Sequence, residues 1–187
     1  KQIYERFPVL INDVTGENPW GLTLRLMFMM NTDSDKFRTR DHLESQGFTL
    51  NGNVFHKDNA TSPTFLPLYE GKMIHQFDHR FATYESNGDI RNVTIAEHQN
   101  PIFVSQPRYW VESGEVEAKL TTRDKSGDVV WEWKQPWLLC FRDIARSTDE
   151  RTAIFSLIPR VAAGHTLALC FLRDESPDTA LVFNALC

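Results

Sequence analysis

Three apolar stretches in the last third of the chain, PWLLCFRDIA (136–145), RTAIFSLIPR (151–160) and HTLALCFLR (165–173), constrain this sequence more than any other feature. Each has a short aliphatic and aromatic centre bounded by polar, proline or arginine residues. That length and content suit strands better than helices. Asn51-Gly52, set between FTL and VFHK, signals a type I′ hairpin. Helical patterns are fewer. Thr39 to Ser45 reads as a short helix ended by Gly47. SGEVEAKLTTRDKSG reads as the clearest helix, opening at Ser113 and ending before Gly127, with Val116 and Leu120 inward. DTALVFNALC reads as a last one. YEGKMIHQF allows a short helix or a strand broken at Gly71. RFATYE and PIFVSQPRYWV read as strands, and residues 86–101 as a long polar loop. The expected fold is therefore α+β: a single mixed, strand-rich domain with a few helices. It divides into an N-terminal sub-element over residues 1–57 and a core over residues 58–187.

Composition supports a folded core and narrows the setting. The chain has 187 residues, 41% of them apolar and 12% aromatic, which is ample for one hydrophobic core and unlike a disordered sequence. No apolar run approaches the roughly 18–20 residues of a bilayer span, and no basic-then-apolar leader opens the sequence. Cys140, Cys170 and Cys187 are widely spaced with no CxxC pair, so buried inert thiols and a reduced, cytoplasmic setting are expected. The formal charge of −5 argues against polyanion binding over the whole surface but leaves room for a local basic face. The chain starts at Lys1 and stops within TALVFNALC, so a fragment of a longer polypeptide is the expectation.

Chemistry-bearing residues are densest in FLPLYEGKMIHQFDHRFATYE (65–85). His75-x-x-Asp78-His79 lies one residue from the inverted zincin motif H-x-x-E-H, and on a helix the two histidines would share a face. Asp is too short for the zincin's general base, and no third ligand is evident, so no metal is assigned. Asp58 followed by Glu70-Gly71-Lys72 loosely matches the D…(D/E)-x-K pattern of magnesium-dependent nucleases. Such pairings are common by chance, and DNATSPT does not read as the strand such a centre needs. Methyltransferase catalysis needs an N-P-P-Y type loop, and Asn100-Pro101-Ile102-Phe103 lacks the second proline. No glycine-rich loop for S-adenosylmethionine occurs, so no catalytic residue and no cofactor is assigned within the chain.

Reading nucleic acid needs Arg and Lys for phosphates and guanine, amides for adenine, and aromatics for stacking. Four islands supply these types: Lys72/His75/Gln76/His79/Arg80, Arg91/Asn92, Arg108/Tyr109/Trp110, and Arg142/Arg146/Thr148/Arg151. The bland alternative is that each arginine is solvated or paired, as Arg142 beside Asp143 and Arg151 beside Glu150 allow.

NPWG with LRLMF and FRT, then LPLYEGKMIHQFDHRFATY, PRYWV and FRDIARSTDERTAIFSLIPR follow one another in this order. Together they resemble the C-terminal target-recognition region of large adenine-N6 DNA methyltransferases. These are the type IIG restriction-modification enzymes with a TaqI-like specificity domain and related phage-defence methylases. The likeness runs from about Asn18 to about Leu172. It implies a domain that grips double-stranded DNA opposite a catalytic methyltransferase domain of the same polypeptide, where S-adenosylmethionine would bind and the adenine would be flipped. It implies polar motif positions at Lys72, His75, Asp78, His79, Arg80, Arg142, Arg146, Thr148 and Arg151. Lys72, Arg80 and Arg151 are the foremost candidates for DNA contact, with Asp78, Asp143 and Glu150 as supporting groups. A magnesium-dependent nuclease module and a protein-docking domain of the same system remain the alternatives.

Overall fold

The computed structural model describes residues 9–59, 61–147 and 149–186. In chain order the strands are β1 (Thr23–Arg25), β2 (Thr49–Asn51), β3 (Val54–His56), β4 (Phe65–Tyr69), β5 (Ala82–Tyr84), β6 (Ile90–Asn92), β7 (Trp110–Glu112), β8 (Thr121–Arg123), β9 (Val129–Glu132), β10 (Trp137–Arg142), β11 (Phe155–Pro159), β12 (Ala162–Ala163) and β13 (Leu167–Phe171). The helices are α1 (Arg40–Ser45), α2 (Ile95–Gln99), α3 (Ser113–Lys119) and α4 (Pro177–Leu186). The fold is α+β and strand-rich.

The three apolar stretches become β10, β11 and β13, which join β1 in an antiparallel sheet of order β1-β13-β10-β11. β10 and β13 read as unbroken apolar runs, and β11 as one interrupted only by the buried Ser156, because these strands are covered on both faces. Side chains alternate along a strand. Leu138, Cys140, Ile158, Leu167, Leu169 and Phe171 therefore enter the main core. Leu139, Phe155 and Cys170 enter a second core, completed by Leu22, Leu172 and Phe183 of α4. Phe183 meets Trp20 edge-on at 5.3 Å and Phe155 at 6.0 Å, which fastens α4 over the sheet. Each such fully buried large side chain contributes about 1.5–3 kcal/mol of transfer free energy.

The second sheet is built around β4. β3 and β7 flank it antiparallel and β12 adds a parallel pair, with β2 outside β3. Leu43 of α1, Phe48, Phe55, Phe65 and Trp110 form a third cluster beneath this sheet. Residues before 58 complete both sheets, through β1 on β13 and through β2–β3 on β4. Two small hairpins, β5–β6 and β8–β9, stand outside these sheets.

Several local expectations change. The β2–β3 hairpin forms, but its central residues are Gly52 and Asn53, and of these only Gly52 has positive φ (61°). That is the type II′ pattern, which places glycine first, rather than type I′. The helix expected from Ser113 to Gly127 stops at Lys119, and the chain continues as β8 and β9 around Gly127. Val116 and Leu120 are fully buried, as the pattern required, while Thr121, Thr122, Val129 and Val130 have the β-branched character that favours strands. Residues 86–101 are ordered as β6 and α2, the latter closed by a Thr94–Glu97 capping box. In PIFVSQPRYWV only Trp110 and Val111 pair as strand, since Pro101 and Pro107 offer no ladder donor. YEGKMIHQF ends β4, makes a 3-10 turn at Gly71–Met73 and then a tight turn.

Among the described residues no helix is long and apolar enough to cross a membrane. Cys140 and Cys170 are buried on opposite faces of the first sheet. Cys187 lies outside the described residues.

Candidate functional site

The 3-10 turn after β4, the β5–β6 hairpin and the loop after β10 surround one open cleft of about 420 Å³. The backbone brings these segments very close. A β-carbon at Gly71 would sit 2.6 Å from the Thr166 carbonyl oxygen, so only glycine fits there. The Gly71 N–H donates to Thr166 Oγ1 at 3.0 Å. Lys72, Arg142 and Arg146, expected from sequence to face DNA, all line this cleft, together with Arg91 and Asn92. Glu70, Asp143 and Asp149 line it too, so its charge is mixed with a basic excess of one. Lys72 and Arg146 are exposed, and among the described residues their side chains have no ion-pair partner.

The cations differ in how they are held. Arg142 is half-buried, donates through Nη2 to the Ile74 carbonyl and lies 5.6 Å from the centre of the Phe81 ring. Burial pulls its pKa down from the usual arginine value, and its Nε is buried without a hydrogen bond among the described residues. Arg91 is clamped by Glu85 at 2.9 Å and by Glu97 at 2.6 Å. The Arg91 hydrogen bond, helped by the Thr94 N–H, holds the Glu97 carboxyl down at about 2. Glu70 accepts from Tyr84 Oη at 3.0 Å through one oxygen, while the other is buried without a partner. Burial first, and then Glu70, raise the Tyr84 hydroxyl above its usual pKa.

A second cleft of about 470 Å³ lies on the other side of the β5–β6 hairpin and shares Arg91 with the first. It holds Arg40 and Arg108, the latter 5.1 Å from the Tyr109 ring centre. Arg151 is exposed and lines neither cleft, and Thr148 lies outside the described residues.

His75, Gln76, Asp78 and Arg80 sit in the turn region and are engaged internally. Gln76 Oε1 accepts from the Phe155 N–H at 2.8 Å, and its Nε2 donates to the Asn184 carbonyl at 3.1 Å. Arg80 binds the carbonyls of His98 and Phe103 at 3.1 and 3.2 Å, closing the end of α2. The His75 ring packs on Phe81 at 4.8 Å. Asp78 accepts from the Arg80 backbone N–H at 2.8 Å, and its other oxygen faces His98 at 3.6 Å. Asp78 thus fixes Arg80 through the backbone. Asp143 and Glu150 are exposed and form no ion pair with Arg142 or Arg151. Asp149, unnoticed in the sequence, takes that part: it accepts from the Arg146 N–H at 2.8 Å and shapes the loop that presents Arg146. A Ser-Thr-Asp-Glu turn after Arg146 is the one hint the sequence offers of this. Residues 75–78 form a tight turn, so His75 and His79 do not share a helix face. Among the described residues no three histidine, cysteine or carboxylate side chains gather at metal-binding distance.

His79 carries a testable pH dependence. Burial, aided by Arg80, lowers its pKa below the usual histidine value of about 6.5. On acidification the unfolded chain therefore binds this proton before the folded one does. Its contribution to stability is complete above about pH 6.5 and is lost as pH falls through the folded value. The urea midpoint is expected to drop between about pH 7.5 and about pH 5.5. His79→Asn should flatten that profile, and parallel profiles would assign the dependence elsewhere.

No family model, curated protein or solved structure matches this chain.

Proposed function

We propose that this chain is the DNA sequence-recognition domain of an adenine-N6-specific DNA methyltransferase from a restriction-modification or phage-defence system. In this reading it holds duplex DNA for a catalytic domain elsewhere in the polypeptide, where S-adenosylmethionine binds. The reading rests on the sequence motifs and on one structural observation. Lys72, Arg142 and Arg146, set more than seventy positions apart in sequence between the first and the last, converge with Arg91 on a single open cleft. Lys72 and Arg146, exposed and without ion-pair partners among the described residues, suit a phosphate backbone, which rewards each contact with the release of a condensed counterion. Arg108 in the neighbouring cleft and the exposed Arg151 extend the set beyond one side of the hairpin. Gln76 and Arg80 serve as internal fasteners at the turn that carries Phe77.

The test is binding of the 187-residue chain to a pool of short random duplexes, followed by fluorescence anisotropy over a salt series. Weak binding is expected, with log K falling against log salt at about −0.9 per phosphate contact, or about −3 for three cleft cations. Absence of binding at about 50 mM salt, or binding indifferent to salt, would sink the reading.

A further inference from the structure

We propose that Phe77 is an aromatic wedge that enters the base stack of duplex DNA, an assignment that rests on the DNA-binding reading above. Phe77 occupies the tip of the turn between His75 and Asp78 with φ of 62°, and among the described residues it is the one non-glycine with positive φ. Position i+2 of such a turn is normally glycine or asparagine, because a β-carbon there is strained. Here a large aromatic side chain holds that position and is 59% exposed. Neither folding economy nor core packing explains the choice, and strain of this kind is kept where the surroundings enforce it for use.

The surroundings do enforce it. His75 and Asp78 exchange two backbone hydrogen bonds of 2.7 and 2.9 Å across the turn. The Phe77 N–H donates to the Phe155 carbonyl at 3.1 Å, and the Gln76 amide is fixed to β11 and α4 on the same side. The ring is thus carried on a rigid mount. The segments on both sides of this turn line the basic cleft, through Gly71 and Lys72 before it and Phe81 and Ala82 after it. A rigid exposed ring on a turn flanked in sequence by cleft-lining segments has the form of the apolar wedges that part base steps.

The experiment compares two short duplexes of the same sequence, one intact and one with a single central abasic site, where the stack is already open and costs less to enter. The unsubstituted chain is expected to prefer the abasic duplex severalfold. Phe77→Asn, whose side chain tolerates positive φ, should remove that preference and weaken binding roughly tenfold. Its salt slope should be unchanged, because no phosphate contact is lost. The same substitution should raise Tm by about 2–4 °C through relief of strain, showing that the loss is not misfolding. Phe77→Tyr, which keeps a ring, should retain the preference. Equal preference in Phe77→Asn and the unsubstituted chain, both binding with a steep salt slope, would overturn the wedge while leaving the DNA reading standing. No binding by any of them would remove both.

Discussion

Replacing Lys72 and Arg146 together by alanine is expected to weaken DNA binding roughly a hundredfold at about 50 mM salt and to flatten the salt slope by about two. Both side chains are exposed and lack ion-pair partners among the described residues, so their removal leaves no buried charge behind. Stability should change by less than about 0.5 kcal/mol, the usual range for surface positions. That separation makes the experiment decisive. A loss of affinity with an unchanged thermal midpoint assigns the cleft to phosphate contact. Undiminished affinity with an unchanged slope would move the interface away from this cleft. Arg142 is a poor choice for the same purpose, because its guanidinium also holds the Ile74 carbonyl and its loss would disturb the turn.

Gln76→Ala is expected to destabilise the fold by about 2–6 kcal/mol, measured by urea denaturation. The amide satisfies the Phe155 N–H on one side and the Asn184 carbonyl on the other, and both residues are buried. Alanine would strand both groups away from water, at about 1–3 kcal/mol each. Gln76→Glu is the informative companion. Its carboxylate can still accept from Phe155 but faces the Asn184 carbonyl with no donor. It should therefore be severely destabilised at neutral pH and recover as acidification protonates it. A change below about 0.5 kcal/mol in Gln76→Ala would free this amide to read adenine, as its residue type first suggests.

The two outcomes for Gln76 show where sequence reading succeeds and where it stops. β10, β11 and β13 were legible because burial on both faces leaves their centres apolar except for Ser156 of β11, a pattern carried by composition alone. β8–β9 was not. Residues 122–130 are all exposed, so neither periodicity nor burial separates a two-stranded hairpin from a helical tail. In the candidate site, residue type identified the cations but not their employment. Arg80 and Gln76 are consumed by backbone carbonyls and an N–H in irregular segments, which must find partners wherever no ladder supplies them. Asp149 escaped notice because its action is on a backbone N–H three residues away, a contact that depends on loop geometry.

The β5–β6 hairpin stands between the two clefts and pairs with no third strand. Among the described residues Arg91 alone, gripped by Glu85 and Glu97, borders both sides. The protein therefore keeps this wall apart from its apolar four-stranded sheet. Residues 85–89 can be exchanged, lengthened or shortened without reopening the core, so long as Arg91 keeps its acidic grip at Glu97. The rim of the second cleft can thus be reshaped through that short segment at little cost to folding.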